Sequence, residues 1–505
     1  MSFAQPLTIQ RLATWILFIL LFVIAVRVPV DTDTWWHLRS GEATLEDGAI
    51  LQEDIFSHTR NGEEWVNHSW GAQIFLYGAY KLTGGDGATD DSGVIGLALF
   101  TALLALAGML IIYRMCAGNV YSRMFVLVIG ATTAAVFWSA RPQMFSFLLS
   151  TVILYILYLY KYKKIDRLWW IPLLMVAWVN LHGGFAIGFI FLFGFIAGET
   201  VGILLRSGDE NLLSWSDLRQ IALVTAISIL ALSLNPYGPR MMIYPFETAG
   251  IQVLNAFIQE WGSPDFKQPS TWPFLVLLLS IIVFAGRSAH RVAWSDLALV
   301  TGTAFLALWA SRNIAVFAVA ATPMLSRLLD AWLTERGWQI TPTKKISPRM
   351  ARLNWVLLLL VLIGAFGQVV NTLSDETVDE AQAELLPVKV AAFLNEEQPE
   401  GPMFNDYNWG GYFIFTVRDL PVFVDGRTDL YGDEFLIDYF RSILGGEDWR
   451  EPLEEYDIQL IVINYNGALA SLLRQDVASE NPEWRIIYEE EDEAIVFERL
   501  RGETE

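Results

Sequence analysis

The sequence predicts a polytopic α-helical membrane protein, with about 11 transmembrane helices and a water-facing α/β domain at its C-terminal end. Three observations carry that reading. Mean hydropathy is +0.38, with 54% hydrophobic residues over 505 positions. The apolar residues fall in blocks suited to a ~30 Å hydrocarbon core, which takes about 20 helical residues to cross. Charge is concentrated at one end: the segment after residue 370 carries about −23, against −21 for the whole chain.

The blocks cover residues 11–30, 94–113, 124–140, 144–160, 168–181, 185–205, 221–234, 272–285, 292–310, 314–329 and 355–370. No small-x-small cleavage site precedes Asp31, so the first block reads as a retained span rather than a signal peptide. The positive-inside rule then sets orientation. Alternate connections hold Arg114 and Arg123; Lys161, Lys163, Lys164 and Arg167; Arg206 and Arg219; Arg287 and Arg291; then Arg336, Lys344, Lys345, Arg349 and Arg352. The opposite connections are acidic or nearly neutral. The expected protein is therefore a multi-pass protein of the cytoplasmic membrane, with a cytoplasmic N-terminus and an extracytoplasmic tail. Domain boundaries fall at 1–374 for the membrane body and 375–505 for the soluble α/β domain, with 31–93 as a first outer loop carrying interfacial helices.

In the tail, 388–394, 434–444 and 468–475 read as helices. Residues 412–417, 422–425 and 458–464 read as strands, and 484–488 with 494–498 as a closing hairpin. An acidic tail excludes nucleic acid as a partner, which requires a basic footprint. The single cysteine, Cys116, excludes an intramolecular disulfide and a thiolate metal cluster. No internal repeat of the kind that builds many transporters is visible.

The segments able to carry chemistry collect on the predicted outer face. The first loop opens Asp31-Thr32-Asp33-Thr34-Trp35-Trp36-His37. Two carboxylates two residues apart can share a divalent cation, Mg or Mn, or leave one as a base. An N-cap at Asp33 fits the same residues equally well. Asp54 follows, then Trp65-Val66-Asn67-His68-Ser69-Trp70, so His37, His58 and His68 share one loop with spacings that match no zinc signature. His182 lies in the break Asn180-Leu181-His182-Gly183-Gly184, which interrupts an apolar stretch and so must line protein or a cavity. Arg141, Arg240 and Arg312 sit at outer span ends, where a guanidinium suits a lipid-linked phosphate and also snorkels to ordinary headgroups. Glu260 and Trp261 share that face. In the tail, Asp406-Tyr407-Asn408-Trp409-Gly410-Gly411-Tyr412 precedes Asp425-Gly426-Arg427. Its acids and aromatics suit a carbohydrate or peptide surface, and an Asp425–Arg427 turn pair is the structural alternative.

This order of parts resembles the GT-C superfamily of membrane glycosyltransferases, which includes protein mannosyltransferases, aminoarabinose transferases and oligosaccharyltransferases. The opening Asp31-Thr-Asp33-Thr-Trp-Trp-His37 carries the motif-level likeness. The stretch Asp406 to Tyr412 loosely resembles the oligosaccharyltransferase region around its Trp-Trp-Asp-Tyr-Gly motif, although that motif itself is absent. The resemblance implies a polyprenyl-phosphate sugar as donor and a protein or glycan as acceptor, with membrane lipids as the surroundings. It places the catalytic carboxylate at Asp33, with Asp31 as the rival. Arg141, Arg312, Arg240, His182, His37 and His68 would then hold the donor, and Asp31 with Glu260 a metal. Asp54, Trp409, Tyr412, Asp425 and Arg427 would face the acceptor. The rival classes are a non-catalytic scaffold whose outer domain binds a partner or surface polymer, and a transporter or flippase.

Overall fold

The computed structural model describes residues 7–86, 92–288, 292–338 and 346–500. Arg291, Lys344 and Lys345 of the predicted basic connections, and His290, lie outside the described residues. Each of the eleven apolar blocks falls on a helix. Seven of these, among the described residues, are long and apolar enough to cross a membrane: Ser92–Met115, Val120–Phe137, Gln143–Lys163, Gly183–Leu204, Pro269–Arg287, Ser311–Glu335 and Pro348–Thr372. The other four blocks hold the shorter helices Ile9–Ala25, Trp170–Val179, Trp215–Ala231 and Trp294–Trp309.

The chain divides into two compact units. The first comprises residues 1–27, 98–245 and 258–373 and contains the helical bundle. Its hub is Ser311–Glu335, whose most apolar stretch is 83% buried, against 11% for Pro348–Thr372. Leu359, Leu360, Ile363 and Phe366 of the latter are exposed, and a helix that is apolar all round is at home only in lipid.

One end of the bundle is tied together by a single π-turn, Leu159–Lys163. The wider turn sends three consecutive side chains in different directions. Tyr160 donates to Asp217 at 2.8 Å, and Tyr162 to Asp296 at 3.1 Å, where Arg327 also pairs at 2.7 Å. Between them Lys161, fully buried, meets Glu199, Asp209 at 2.9 Å and Ser295 at 3.0 Å. Removing one partner of a buried ion group leaves its counter-charges stranded, at a cost of about 3–5 kcal/mol. Lys161→Met is therefore expected to lower the melting temperature in detergent sharply, whereas Lys163→Met, two positions from the buried ammonium, is expected to leave it nearly unchanged.

The second unit comprises residues 28–97, 246–257 and 374–505, so the first loop packs with the tail rather than forming part of the helical body. A four-stranded sheet is its centre, with β1 Met403–Asn405, β2 Leu460–Asn464, β3 Trp484–Glu490 and β4 Ala494–Arg499. The order is β1-β2-β4-β3, with β1 and β2 parallel and the other two pairings antiparallel. Its core gathers Phe404, Phe423, Leu436, Ile461, Leu469, Trp484, Ile495 and Phe497.

Two predicted strands are something else. Of residues 412–417, all but Val417, which caps it, belong to the helix Gly410–Thr416, every residue of which is buried, and a short apolar run gives no periodicity to tell the two apart. Residues 422–425 join no strand of the sheet, and Val422 instead bridges to the first loop: its N–H donates to the Phe56 carbonyl at 3.2 Å and its carbonyl accepts from the His58 N–H at 3.0 Å.

Candidate functional site

In the second unit the helix Asp33–Asp47 begins at Thr32, so Asp33 is its first residue and not its cap. Asp31 takes the capping task instead, its Oδ1 accepting the Asp33 N–H at 3.1 Å. The Asp33 carboxylate turns to a side chain: Oδ1 accepts from the Trp36 indole N–H at 3.1 Å. Both acids are half-buried. This removes the helix-cap reading of Asp33, one of the two that the residues alone left open.

Glycines of the tail form the floor beneath this acid pair. A Cβ on Gly411 would lie 2.5 Å from the Thr32 carbonyl oxygen, and one on Gly426 would lie 2.0 Å from Asp33 Oδ1. No side chain fits at either place, which explains why glycine stands there. Trp35 packs edge-on against Tyr412 at 5.3 Å, joining loop and tail.

Asp54, Asp425 and Arg427 were expected to face an acceptor, and the structure corrects this. All three side chains are fully buried. Arg427 donates through Nε and Nη2 to Asp425 at 2.8 and 2.7 Å, and through Nη1 to Asp54 at 2.6 Å. Tyr431 adds a bond to Asp425 at 2.7 Å. Burial pushes the Asp54 carboxyl upward, but Arg427, with the Ser57 and Phe56 hydrogen bonds, brings it below the usual value of 3.8. Asp425 and Arg427 thus form the turn pair named as the structural alternative, enlarged by Asp54 across 373 residues. Tyr412 is likewise buried, whereas Trp409 remains partly exposed beside Phe413.

The loop histidines divide by surroundings. His37 is buried, its Nδ1 3.3 Å from Gln73 Nε2 and its ring against Trp36. That makes it part of the packing rather than a donor-binding group. His68 is half-buried. His58 donates from Nε2 to the Met403 carbonyl at 2.8 Å, and burial, outweighing that bond, depresses its pKa below 6.5. A neutral buried histidine must take up a proton when the chain unfolds in acid. Its stabilising effect is full above about 6.5 and is lost as pH falls from there. The melting temperature is expected to drop between pH 7.5 and 5.5, and His58→Gln, which keeps a donor without titrating, should flatten that slope.

In the first unit, Arg141 and Arg312 share one carboxylate. Glu260 lies 3.8 Å from the first and 3.7 Å from the second, and Arg312 stacks on Trp261 at 4.3 Å. Burial raises the Glu260 carboxyl, but the two guanidiniums hold it below its usual value. The Ser311 hydroxyl anchors the turn to the Glu260 carbonyl at 3.1 Å. A carboxylate with two cations beside it is already neutralised and makes a poor metal ligand, which counts against the expected metal role of Glu260. Arg240 is exposed in the turn Gly238–Met242.

The His182 break shows two partners that the sequence did not single out. Trp178 Nε1–H can only donate, and it reaches Ser146 Oγ at 2.7 Å. The Ser146 hydrogen therefore points to His182 Nδ1 at 2.7 Å, and the Gly184 N–H reaches the same nitrogen at 3.1 Å. With Nδ1 accepting, the neutral ring carries its hydrogen on Nε2.

Neither a family model nor a curated protein sequence matches the chain. Solved structures match in fold. The archaeal oligosaccharyltransferase AglB from Archaeoglobus fulgidus, in complex with an inhibitory peptide and a dolichol-phosphate, superposes with a TM-score of 0.59 at 13% identity, over 96% of this chain and 74% of AglB. A complex of the Archaeoglobus fulgidus oligosaccharyltransferase with Zn and sulfate gives 0.55 at 13% identity, over 96% and 73%. The arabinofuranosyltransferase AftD from Mycobacteria gives 0.51 at 14% identity, over 99% of this chain but 40% of AftD. The protein has a GT-C-like fold, with the layout of a multi-pass membrane protein.

Proposed function

We propose that this protein is a membrane glycosyltransferase, moving a sugar from a polyprenyl-phosphate-linked donor to an acceptor at the outer face of the cytoplasmic membrane. The observation that carries the reading is the state of Asp33. Its carboxylate spends its Oδ1 bond on an indole rather than on the helix terminus, and sits on a glycine floor at the opening of the first loop. The fold adds an analogy, since fold alone does not decide chemistry.

The chemistry assigned to these residues is a displacement at the anomeric carbon. The acceptor oxygen forms a bond to that carbon, and the carbon–oxygen bond to phosphate breaks with its electron pair moving to the phosphate. Asp33 takes the acceptor proton as general base. On the first unit, Arg141 and Arg312 are the candidates for the departing lipid phosphate, whose negative charge two guanidiniums would stabilise. Glu260 holds both guanidiniums in readiness until a phosphate competes for them.

Among the described residues no group of three or more His, Cys, Asp or Glu is placed to hold a metal ion. The donor set still fits a hard divalent cation of the Mg or Mn kind, which is commonly bound by one or two carboxylates plus substrate phosphate. Asp31 and Asp33 would hold it, and it would supply charge neutralisation at the phosphate.

The test is purified protein in detergent with a panel of polyprenyl-phosphate-linked hexoses and pentoses, scored by release of free lipid phosphate. Arg312→Ala removes one charge-assisted contact worth about 1.5–3 kcal/mol, so the donor KM is expected to rise about 10- to 100-fold. An unchanged KM would remove Arg312 from the donor site. A wild-type protein that binds donor without releasing lipid phosphate would favour the scaffold instead.

A further inference from the structure

Two routes lead to the Asp33 carboxylate from one buried residue, Arg427. Gly426, whose Cα carries no side chain against Asp33 Oδ1, is the immediate neighbour of Arg427. The Arg427 guanidinium lies 4.9 Å over the Trp65 ring, and Trp65 packs at 5.9 Å and 69° against Trp36. Trp36 in turn gives its indole hydrogen to Asp33 Oδ1. One guanidinium therefore bears on the carboxylate twice, through the backbone beneath it and through the indole that holds it.

That guanidinium has little freedom. Nε and Nη2 grip Asp425, and Nη1 grips Asp54, whose oxygens also take the Phe56 N–H, the Ser57 N–H and the Ser57 hydroxyl at 3.2, 3.0 and 2.6 Å. The Arg427 N–H closes the turn on Asp425 at 2.9 Å, which fixes the height of Gly426. A planar fork satisfied on two carboxylates sets a direction as well as a charge, and a lysine supplies the charge alone.

We propose that Arg427 is a positioning residue for Asp33: the buried Asp54–Arg427–Asp425 group sets the Gly426 backbone and the Trp65–Trp36 pair, and these together orient the carboxylate. The assignment deepens the reading of Asp33 as the group that acts on the acceptor, and rests on it for its catalytic meaning.

The experiment uses the full-length protein labelled with 5-fluorotryptophan, with the Trp36 fluorine resonance assigned by its loss in Trp36→Phe. Arg427→Lys and Asp54→Asn are measured below their melting temperatures, side by side, so the result does not hang on one variant folding. Gly426→Ala leaves the ion group intact and lifts Asp33 directly. Lys161→Met, which breaks a buried ion group in the other unit, is the control for lost stability alone. The expected result is a displaced Trp36 resonance in Arg427→Lys, Asp54→Asn and Gly426→Ala, and none in Lys161→Met. With donor, Arg427→Lys should lose about 10- to 100-fold in kcat at nearly constant KM, the scale of a misplacement of about 1 Å. A Trp36 resonance unmoved in the folded Arg427 and Asp54 variants overturns the proposal, whatever the activity. Failure of the glycosyltransferase reading shows separately, as Asp33→Asn protein that transfers sugar like wild type.

Discussion

Asp33→Asn is expected to leave a folded protein that has lost transfer activity by about 10²- to 10⁴-fold, the range a positioned general base contributes. The substitution is chosen for what it keeps. The asparagine oxygen still accepts the Trp36 indole hydrogen, its volume matches, and the first turn of the helix retains its Asp31 contact. Only the negative charge and the capacity to take a proton disappear. The loss should fall on kcat, since a base works in the transition state and adds little to donor binding. Asp31→Asn is the comparison: Asp31 holds the Asp33 N–H, so its loss should act more weakly unless the pair shares a cation. Should the two variants lose equal activity, and divalent cation rescue both, the pair is a metal site first and Asp33 a base second.

Arg427→Met is expected to affect stability as strongly as Lys161→Met does. It strands two buried carboxylates, a change that costs about 3–5 kcal/mol. The pH dependence gives the sharper test. In the wild type the Asp54 carboxyl is held below 3.8 in the folded state. Its stabilising effect is thus present above about 3.8 and is lost as pH falls through the lower folded value. Without Arg427 the remaining influences on Asp54 include burial, which favours the neutral acid. Protonation then relieves the folded state, and the stability deficit relative to wild type should shrink as pH is lowered toward 4. Melting curves for both proteins from pH 8 to pH 4 measure this; a constant deficit across that range would mean that Arg427 holds the unit by packing on Phe56 and Trp65 rather than by charge.

Periodic and chargeable features were legible in the sequence. The eleven apolar blocks fall on helices, seven of them, among the described residues, long and apolar enough to cross a membrane, because length and composition are local signals. The closing hairpin β3–β4 and the helices at 388, 434 and 468 carry strong period signals and lie where expected. The all-buried run 412–417 did not declare itself, since a segment buried on every side has no face to reveal.

The site was legible in part. Asp31 and Asp33 stood out as a pair, but the choice between cap and reactive group depends on which donor each oxygen meets. That donor, Trp36, is three residues away and indistinguishable in sequence from a membrane-interface aromatic. Asp54 and Arg427, 373 residues apart, could be joined only by the fold. Gly411 and Gly426 allow close approach, and what approaches them is the first loop itself. Ser146 and Trp178 gave no sign at all, because a hydroxyl and an indole inside apolar helices look like filler until a histidine meets them.

The measurement that bears most directly on the account is lipid-phosphate release by the wild-type protein in detergent, using polyprenyl-phosphate-linked sugars with and without added Mg or Mn. The predicted result is free polyprenyl phosphate formed catalytically from at least one donor, and none from the same donor with Asp33→Asn. Release at equal rates from both proteins, or from neither across the whole panel, would contradict it.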